Sequence, residues 1–492
     1  MRDIFLANFF GPGCELDAFF AGFLLPDFIF NFLALGFISG GLLPIFSQNK
    51  KKSPQFAEKI FIDFLKIILI LVIIFSILAF IFVPYIISFF LSTTTKNSAN
   101  IDLIILCTRI LLISPIFFAL SNSLGMFLLA KKSFWSVAIA PILNNLGVIF
   151  GIVLFGKKFG ILAATCGAAA GAILHFLVRF FDFLKNWQGK FLFKINFNPE
   201  LKKIFLLGLP KTLALVFFQL TLFSITIFAV KSGEGVVSAF NFARNLGSFP
   251  VSLFGISVAT AAFPFLSEFS AQKNSSVFLQ NLQKFLRKSL FFALPAAIGI
   301  FLLSPSIIKI FFGHGNFSIS DEILTTAILT GITISIPFES MSQIFLRSFD
   351  SQQKTFFSTI GKFIFFITCF FGFLVSSQNF GGKFFGIIFS IGIILENIFL
   401  IFSAQKNFSF SVFSFLKKNW RIFFSSFFMG IFLIFFNPKF SFFVDTNFIN
   451  LFLSEILTLS VKIFLGTGIY FLIYFQSKKL EKLFTKIKSN KN

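Results

Sequence analysis

The chain has 492 residues, of which 56% are hydrophobic and 12% charged, and its mean hydropathy is +0.91. A soluble protein of this length could not cover that much apolar surface, so the composition excludes a water-soluble globular enzyme and defines an all-α polytopic membrane protein. The net charge of +23 is spread over short loops and the C-terminal tail. That placement fits cytoplasmic loops against anionic phospholipid head groups and argues against nucleic-acid binding.

In chain order, a short apolar piece at residues 4–10 comes first. It is too short to cross a bilayer, which needs about 20 residues. Thirteen full spans follow at 17–46, 60–91, 101–130, 134–156, 159–183, 203–230, 236–266, 285–312, 320–349, 355–376, 380–404, 421–437 and 450–475. Most are too long and too continuously apolar for barrel strands. With the short piece numbered as helix one, every loop after an even-numbered helix is basic. Lys50 to Lys52 follow helix two, and Lys131 and Lys132 follow helix four. Lys185 to Lys203 follow helix six, Lys273 to Lys288 helix eight, Arg347 and Lys354 helix ten, and Lys406 to Arg421 helix twelve. The odd loops are poorer, with Lys96, Lys231, Lys383 and Lys439, and the pair Lys157 and Lys158 is the exception. The positive-inside rule then predicts fourteen helices with both termini cytoplasmic. Helix one is N-terminally truncated in this plan: either its upstream half was lost through a late start codon, the preferred reading, or the helix is truly shortened. No cleavable signal sequence is expected at the N-terminus.

The second and eighth helices echo each other. Ala18-Phe19 leads to Pro44-Ile45-Phe46-Ser47, and Ala239-Phe240 leads to Pro264-Phe265-Leu266-Ser267; Pro26 and Gly36 lie inside the first, Pro250 and Gly255 inside the second. Helices four and ten both run into a polar turn, FLLAKKSFWS and FLRSFDSQQKTFFS. The offset of six helices predicts two lobes of equal orientation, a parallel repeat of the kind used by transporters. The expected organisation is an N-lobe at 1–183, a basic linker at 184–202, a C-lobe at 203–404, a basic loop at 405–420, two further helices at 421–475 and a basic tail at 476–492. Pro26, Gly36, Gly40, Gly41 and Pro44 in helix two, with Pro250, Gly255 and Pro264 in helix eight, predict kinked or unwound helices that move during gating.

No catalytic constellation is visible, so the chain is read as a transporter and not an enzyme. Cys14, Cys107, Cys166 and Cys369 have no metal or redox spacing, and His175 and His314 stand alone. No metal and no cofactor are expected; the energy source would be the membrane potential, an ion gradient or the substrate's own gradient. Ionisable residues inside spans are costly and are usually functional. Arg179, Asp182, Lys211 and Arg347 near span ends read as snorkelling groups. Arg2, Asp3, Asp17 and Arg244 form the sharper set, because an arginine fork suits phosphate oxygens and the aspartates can hold or balance it. Ion pairs that only fix helix packing are the alternative reading.

The Arg2-Asp3 pair, the FFGPG turn, Asp17-Ala18-Phe19-Phe20, Pro26, GFISGGLLP and the eighth-helix run SAFNFARNLGSFPVSLFGISVATAAFPFLS resemble the MurJ (MviN) lipid II flippase family of the multidrug/oligosaccharidyl-lipid/polysaccharide exporter superfamily. The likeness covers nearly the whole chain. It implies that an undecaprenyl-pyrophosphate-linked peptidoglycan precursor is carried from the inner to the outer leaflet by alternating access. It also implies an electropositive cavity whose substrate-binding set includes Arg2, Asp3, Asp17, Ser39, Arg244 and Asn245. A monomer in the bacterial inner membrane is expected. The sequence departs from the family at several places. Phe30 stands where the family has arginine, and the family's eighth-helix arginine aligns with Asn245, one residue after Arg244. Leu35 and Gly40 replace a glutamate and a glutamine, and Ile225 replaces an acid linked to sodium. One residue is about 100° of helix rotation, so Arg244 is turned relative to the family's arginine. Rival readings are a flippase for another polyprenyl-linked oligosaccharide, a multidrug exporter, a membrane glycan transferase and a non-transporting scaffold.

Overall fold

In a hydrocarbon medium each backbone amide must be bonded within its own segment. The computed structural model answers this with helices throughout and no strand among the described residues, which are 1–91, 98–187, 198–272, 275–436 and 448–489. Lys96, Lys190, Lys194, Lys273, Lys439, Asp445 and Lys491 of the expected loops and tail lie outside them.

The helices are α1 (Arg2–Phe10), α2 (Cys14–Lys50), α3 (Pro54–Leu91), α4 (Ile101–Ala130), α5 (Trp135–Phe159), α6 (Ile161–Asn186) and α7 (Pro199–Ser232). They continue as α8 (Val236–Ala271), α9 (Ser275–Phe312), α10 (Ile319–Thr333 and Ile336–Ser351, bent by 47°), α11 (Phe356–Asn379), α12 (Gly382–Phe408), α13 (Val412–Phe435) and α14 (Phe448–Ser489). Eleven helices among the described residues are long and apolar enough to cross a membrane, or twelve with bent α10 counted as one. The protein is therefore a multi-pass membrane protein. The span count stops short of fourteen for two physical reasons. α1 has only 9 residues, and Lys417, Lys418 and Arg421 occupy the first half of α13.

Packing divides the chain into two units. The first comprises Met1–Ser238, Gly315–Phe317 and Phe365–Gly382, and the second Ala239–His314, Ser318–Ile364 and Lys383–Asn492. This is a boundary of contact, distinct from the repeat boundary that sets the lobes, and α7 falls inside the first unit because it docks on α2. The first unit's core is aromatic: Phe61 meets Phe127 at 5.2 Å, Phe127 meets Phe183 at 5.1 Å and Phe183 meets Trp187 at 5.0 Å. Small residues let α5 and α6 close up. A Cβ on Gly147 would sit 2.6 Å from the Gly167 carbonyl oxygen, so the backbones touch directly, the usual solution where no hydrophobic effect drives helices together. In the second unit Phe278 and Phe349 flank Phe408, each at 5.1 Å, and α14 is tied to α9 by Tyr470 Oη donating to the Phe291 carbonyl at 2.7 Å.

Each unit repeats the other's local devices about 220 residues away. The turn after α4 places Lys132 at φ 65° with Ser133 N donating to Leu128 O at 2.9 Å; after α10, Gln353 sits at φ 60° with Lys354 N donating to Phe349 O at 2.9 Å. Asn186 Nδ2 donates to Asp182 O in α6, and Asn407 Nδ2 to Ser403 O in α12. The breaks at Leu111/Ser114 and Thr333/Ile336 correspond, as do the π-helical turns Asn31–Leu35 and Val251–Ile256. The helix-two and helix-eight likeness read from sequence is thus matched by shared geometry.

Candidate substrate-translocation site

Arg2 and Asp3 open α1 side by side. Arg2 Nε donates to Asp3 Oδ1 at 2.9 Å, with Nη2 2.8 Å from the same oxygen, and both side chains are half-buried. A guanidinium neutralised by its neighbour enters an apolar setting at lower cost than a bare cation, and it keeps donors for a second acceptor. α1 ends at Gly11, whose φ of 65° has room because no Cβ is present; one would lie 2.2 Å from Asn316 O. Asn316 holds the end by donating twice: its N–H bonds Asn8 O at 3.0 Å and its Nδ2 bonds Phe9 O at 2.6 Å.

Asp17 has a different place. It is buried, and its carboxylate accepts from Gly235 N at 2.7 Å, Ser238 N at 2.8 Å and Ser238 Oγ at 2.5 Å. The two amides are orphan donors at the start of α8, so Asp17 is an N-cap supplied from another helix. No hydrogen bond or ion pair joins Arg2 to Asp17 among the described residues. The expectation that Asp17 steadies an arginine is replaced by one in which it anchors α8. Asp182 does the same for α5, accepting from Ser133 Oγ at 2.8 Å and Ser136 Oγ at 2.5 Å, and is buried rather than snorkelling. Arg179 is likewise buried, donating to Ser121 O and Asn122 Oδ1.

α2 carries two π-helical turns, Asn31–Leu35 and Ile38–Leu42, where the sequence predicted kinks around Gly36, Gly40 and Gly41. Ser39 is exposed, and its hydroxyl donates back to Leu35 O at 2.8 Å, a bond that competes with the helical ladder. The glycines serve contact as well. A Cβ on Gly36 would lie 2.1 Å from Thr212 Oγ1 and one on Gly41 2.1 Å from Ile204 O, both on α7, while Gly40 faces α7 at 3.1 Å from the Gly208 Cα. Asn31 Nδ2 reaches Gln219 Oε1 of α7 at 3.3 Å. Pro26 is buried and Pro44 exposed. Phe30, at the family's arginine position, packs on Phe118 at 5.9 Å, and Ile225 is buried.

In the second unit α8 widens at Val251–Ile256, just after buried Pro250. Ser248, Ser252 and Ser257 each donate back to a carbonyl in the preceding turn, of Asn245, Ser248 and Leu253 respectively. Gly255 lets α10 approach, a Cβ there lying 2.8 Å from Ser340 Cα, and Pro264 is exposed like Pro44. Arg244 is half-buried; Asn245, one residue on, is exposed. The rotation expected between the two is what separates them. Lys362 of α11 pairs with buried Glu396 of α12 at 2.8 Å, a contact that sequence reasoning missed; a lone lysine inside an aromatic span was the available signal.

A helical multi-pass chain built from an internal repeat, with buried charges on its broken helices, defines a membrane transporter of the repeat-built class. More narrowly, the chain belongs to the lipid II flippase MurJ family, whose model matches residues 6–453. It is similar to the probable lipid II flippase MurJ of Thermotoga maritima, 27% identical over 373 residues, which are 73% of this chain and 72% of that one. It is similar also to the lipid II flippase MurJ of Thermosipho africanus, 28% identical over 360 residues, 72% and 71% of the two chains. Among solved structures it shares its fold with lipid II flippase MurJ in an inward closed conformation, at TM-score 0.77 and 24% identity over 98% of this chain and 96% of that one. An inward-facing multidrug resistance MATE transporter of the MOP superfamily matches at TM-score 0.69 and 15% identity, over 83% and 93%.

Proposed function

We propose that the protein is a lipid II flippase, moving the polyprenyl-pyrophosphate-linked peptidoglycan precursor from the inner to the outer leaflet of the bacterial inner membrane by alternating access. The family match across residues 6–453 carries this reading. It works as a transporter without enzymatic chemistry, as a monomer, with both termini in the cytoplasm, anionic phospholipids at its basic loops, and the membrane potential or an ion gradient as its drive. The lobes 1–183 and 203–404 are the moving parts. Arg2 takes a pyrophosphate oxygen with the donors that Asp3 leaves free, Arg244 supplies a second cation, and Ser39 and Asn245 present exposed polar groups to the glycan. The widened turns of α2 and α8, with Pro26, Gly36, Gly40, Gly41, Pro44, Pro250, Gly255 and Pro264, are the bending points.

Complementation of a flippase-depleted bacterium tests the reading. The chain is expected to restore growth, and Arg2→Ala to abolish rescue at an unchanged membrane level. A chain that reaches the membrane and does not rescue overturns the lipid II reading; full rescue by Arg2→Ala removes Arg2 from the site.

A further inference from the structure

In the first unit α2 and α7 line an open cleft of about 620 Å³. Its walls are Phe37 of α2 with Phe205, Leu206 and Leu209 of α7, and the end nearest the start of α7 carries Asn198 and Lys202. That volume suits a single small ligand, for which pockets run to roughly 300–1,000 Å³. From Lys202 to Leu209 the helix rises about 10 Å, so the cleft reaches through much of one leaflet's hydrocarbon, about 15 Å deep. Leu206 and Leu209 are 59% and 45% exposed. Lys202 is exposed and has no ion-pair or hydrogen-bond partner among the described residues, whereas its neighbour Lys203 is held by Glu200 at 2.8 Å.

Rings and leucines ending at one exposed cation make an amphipathic seat. A second cleft of the same volume, between α2 and α3, is lined by Phe28, Phe32, Phe75 and Phe82 and has no charged side chain among its lining residues. Any acyl chain suits that one, whatever its head group. The α2–α7 cleft adds a lysine at its interfacial end, and lysines at the cytoplasmic surface attract anionic lipid. It presents one cation and little else that is polar, so a glycan-bearing pyrophosphate finds few partners there. The cleft also touches the bending point of α2. Phe37 lies between the two π-helical turns; a Cβ on Gly208 would meet its ring at 2.7 Å, and Phe205 meets it edge-on at 5.0 Å.

We propose that the α2–α7 cleft seats one acyl chain of an anionic phospholipid from the cytoplasmic leaflet, with the lipid phosphate on Lys202. The chain lies against Phe37 and Phe205 and so holds the bent α2 on α7. The linkage is reciprocal: the lipid favours this packing and the packing favours the lipid. A conformation in which α2 leaves α7 loses the seat, so the head groups of the leaflet bias the bend of α2. The choice of leaflet rests on the loop-charge reading of orientation. The cleft, its lysine and its hold on α2 do not, and none of them depends on which lipid-linked substrate is carried.

The test uses the full chain in phosphatidylcholine nanodiscs that hold no lipid-linked glycan. A trace of phosphatidylglycerol with a diazirine in its acyl chain is expected to crosslink to residues 199–209 and also to residues 75–89 of the α2–α3 cleft. Exchanging part of the matrix for unlabelled phosphatidylglycerol should suppress labelling at 199–209 more than at 75–89; equal suppression overturns the preference for an anionic head group. In Lys202→Gln the yield at 199–209, taken relative to that at 75–89, is expected to fall about fivefold, one lysine's share at an anionic surface. An unchanged ratio overturns the phosphate contact, and labelling at 75–89 without any at 199–209 overturns the cleft. Hydrogen exchange of residues 31–42 reads the hold on α2. It is expected to be slower in phosphatidylglycerol nanodiscs than in phosphatidylcholine ones, with the difference lost in Lys202→Gln. Equal exchange in the two lipids overturns the hold on α2 and leaves the binding site to the crosslinking result.

Discussion

Asp17 gives α8 what a serine or asparagine cap gives most helices, but from a residue 218 positions away. Two of its three acceptor bonds satisfy backbone amides at the buried start of that helix, and the third holds the Ser238 hydroxyl. Asp17→Ala leaves the amides of Gly235 and Ser238 unbonded, which costs about 1–3 kcal/mol. Thermal unfolding of purified protein is expected to show a clear loss for Asp17→Ala, a smaller one for Asp17→Asn, which keeps one acceptor oxygen, and none for Arg2→Ala. An Asp17→Ala protein as heat-stable as the wild type would refute the cap. The sequence marked Asp17 as an expensive group with a purpose, since a carboxylate in an apolar run is conspicuous. It could not reveal the purpose, because the partner amides are backbone groups and carry no residue signature. Arg244 was legible in the same limited way. Its one-residue shift from the family's position foretold a different orientation, whereas Lys362 and Glu396, isolated in their spans, gave no hint that they meet.

At the scale of elements, α2 shows why glycine and proline spacing predicts a bend without predicting its form. The expected kink near Gly36, Gly40 and Gly41 is present as two π-helical turns, with Ser39 bonded back to the preceding turn. What the spacing could not supply is α7, whose residues Ile204, Gly208 and Thr212 fill the space the glycines leave. The contact predicts an ordering of substitutions. Gly41→Ala sets a methyl 2.1 Å from a backbone oxygen that cannot rotate away, whereas Gly468→Ala meets nothing within 4 Å. Overpacking of the first kind costs about 1–3 kcal/mol. Detergent-extracted Gly41→Ala is expected to melt earlier and to rescue growth poorly, Gly40→Ala to be milder because its neighbours lie at 3.1 and 3.2 Å, and Gly468→Ala to match the wild type. Equal stability of all three would show that α2 and α7 do not pack as described.

For the molecule as a whole, loop charge carries the topology. Length and composition yield eleven or twelve spans, because α1 is short and the start of α13 is basic, and the alternation of lysine-rich and lysine-poor loops predicts that every helix from α2 to α12 crosses. The loop after α5, with Lys157 and Lys158, is the one place where charge and alternation disagree. The close glycine packing of α5 and α6 argues that both cross, since two backbones that touch along their length run side by side through the same layer. Single cysteines in a chain whose four native cysteines are replaced decide it. Exposed positions Lys158, Glu234 and Phe380 are expected to react with a membrane-impermeant maleimide from outside the cell. Lys132, Gln272 and Gln353 should react only after permeabilisation. External labelling at Lys158 makes the basic pair a tolerated exception to the charge rule. Its protection alongside Lys132 means that α5 does not cross, and the common orientation of the two lobes, which needs six crossings between α2 and α8, fails with it.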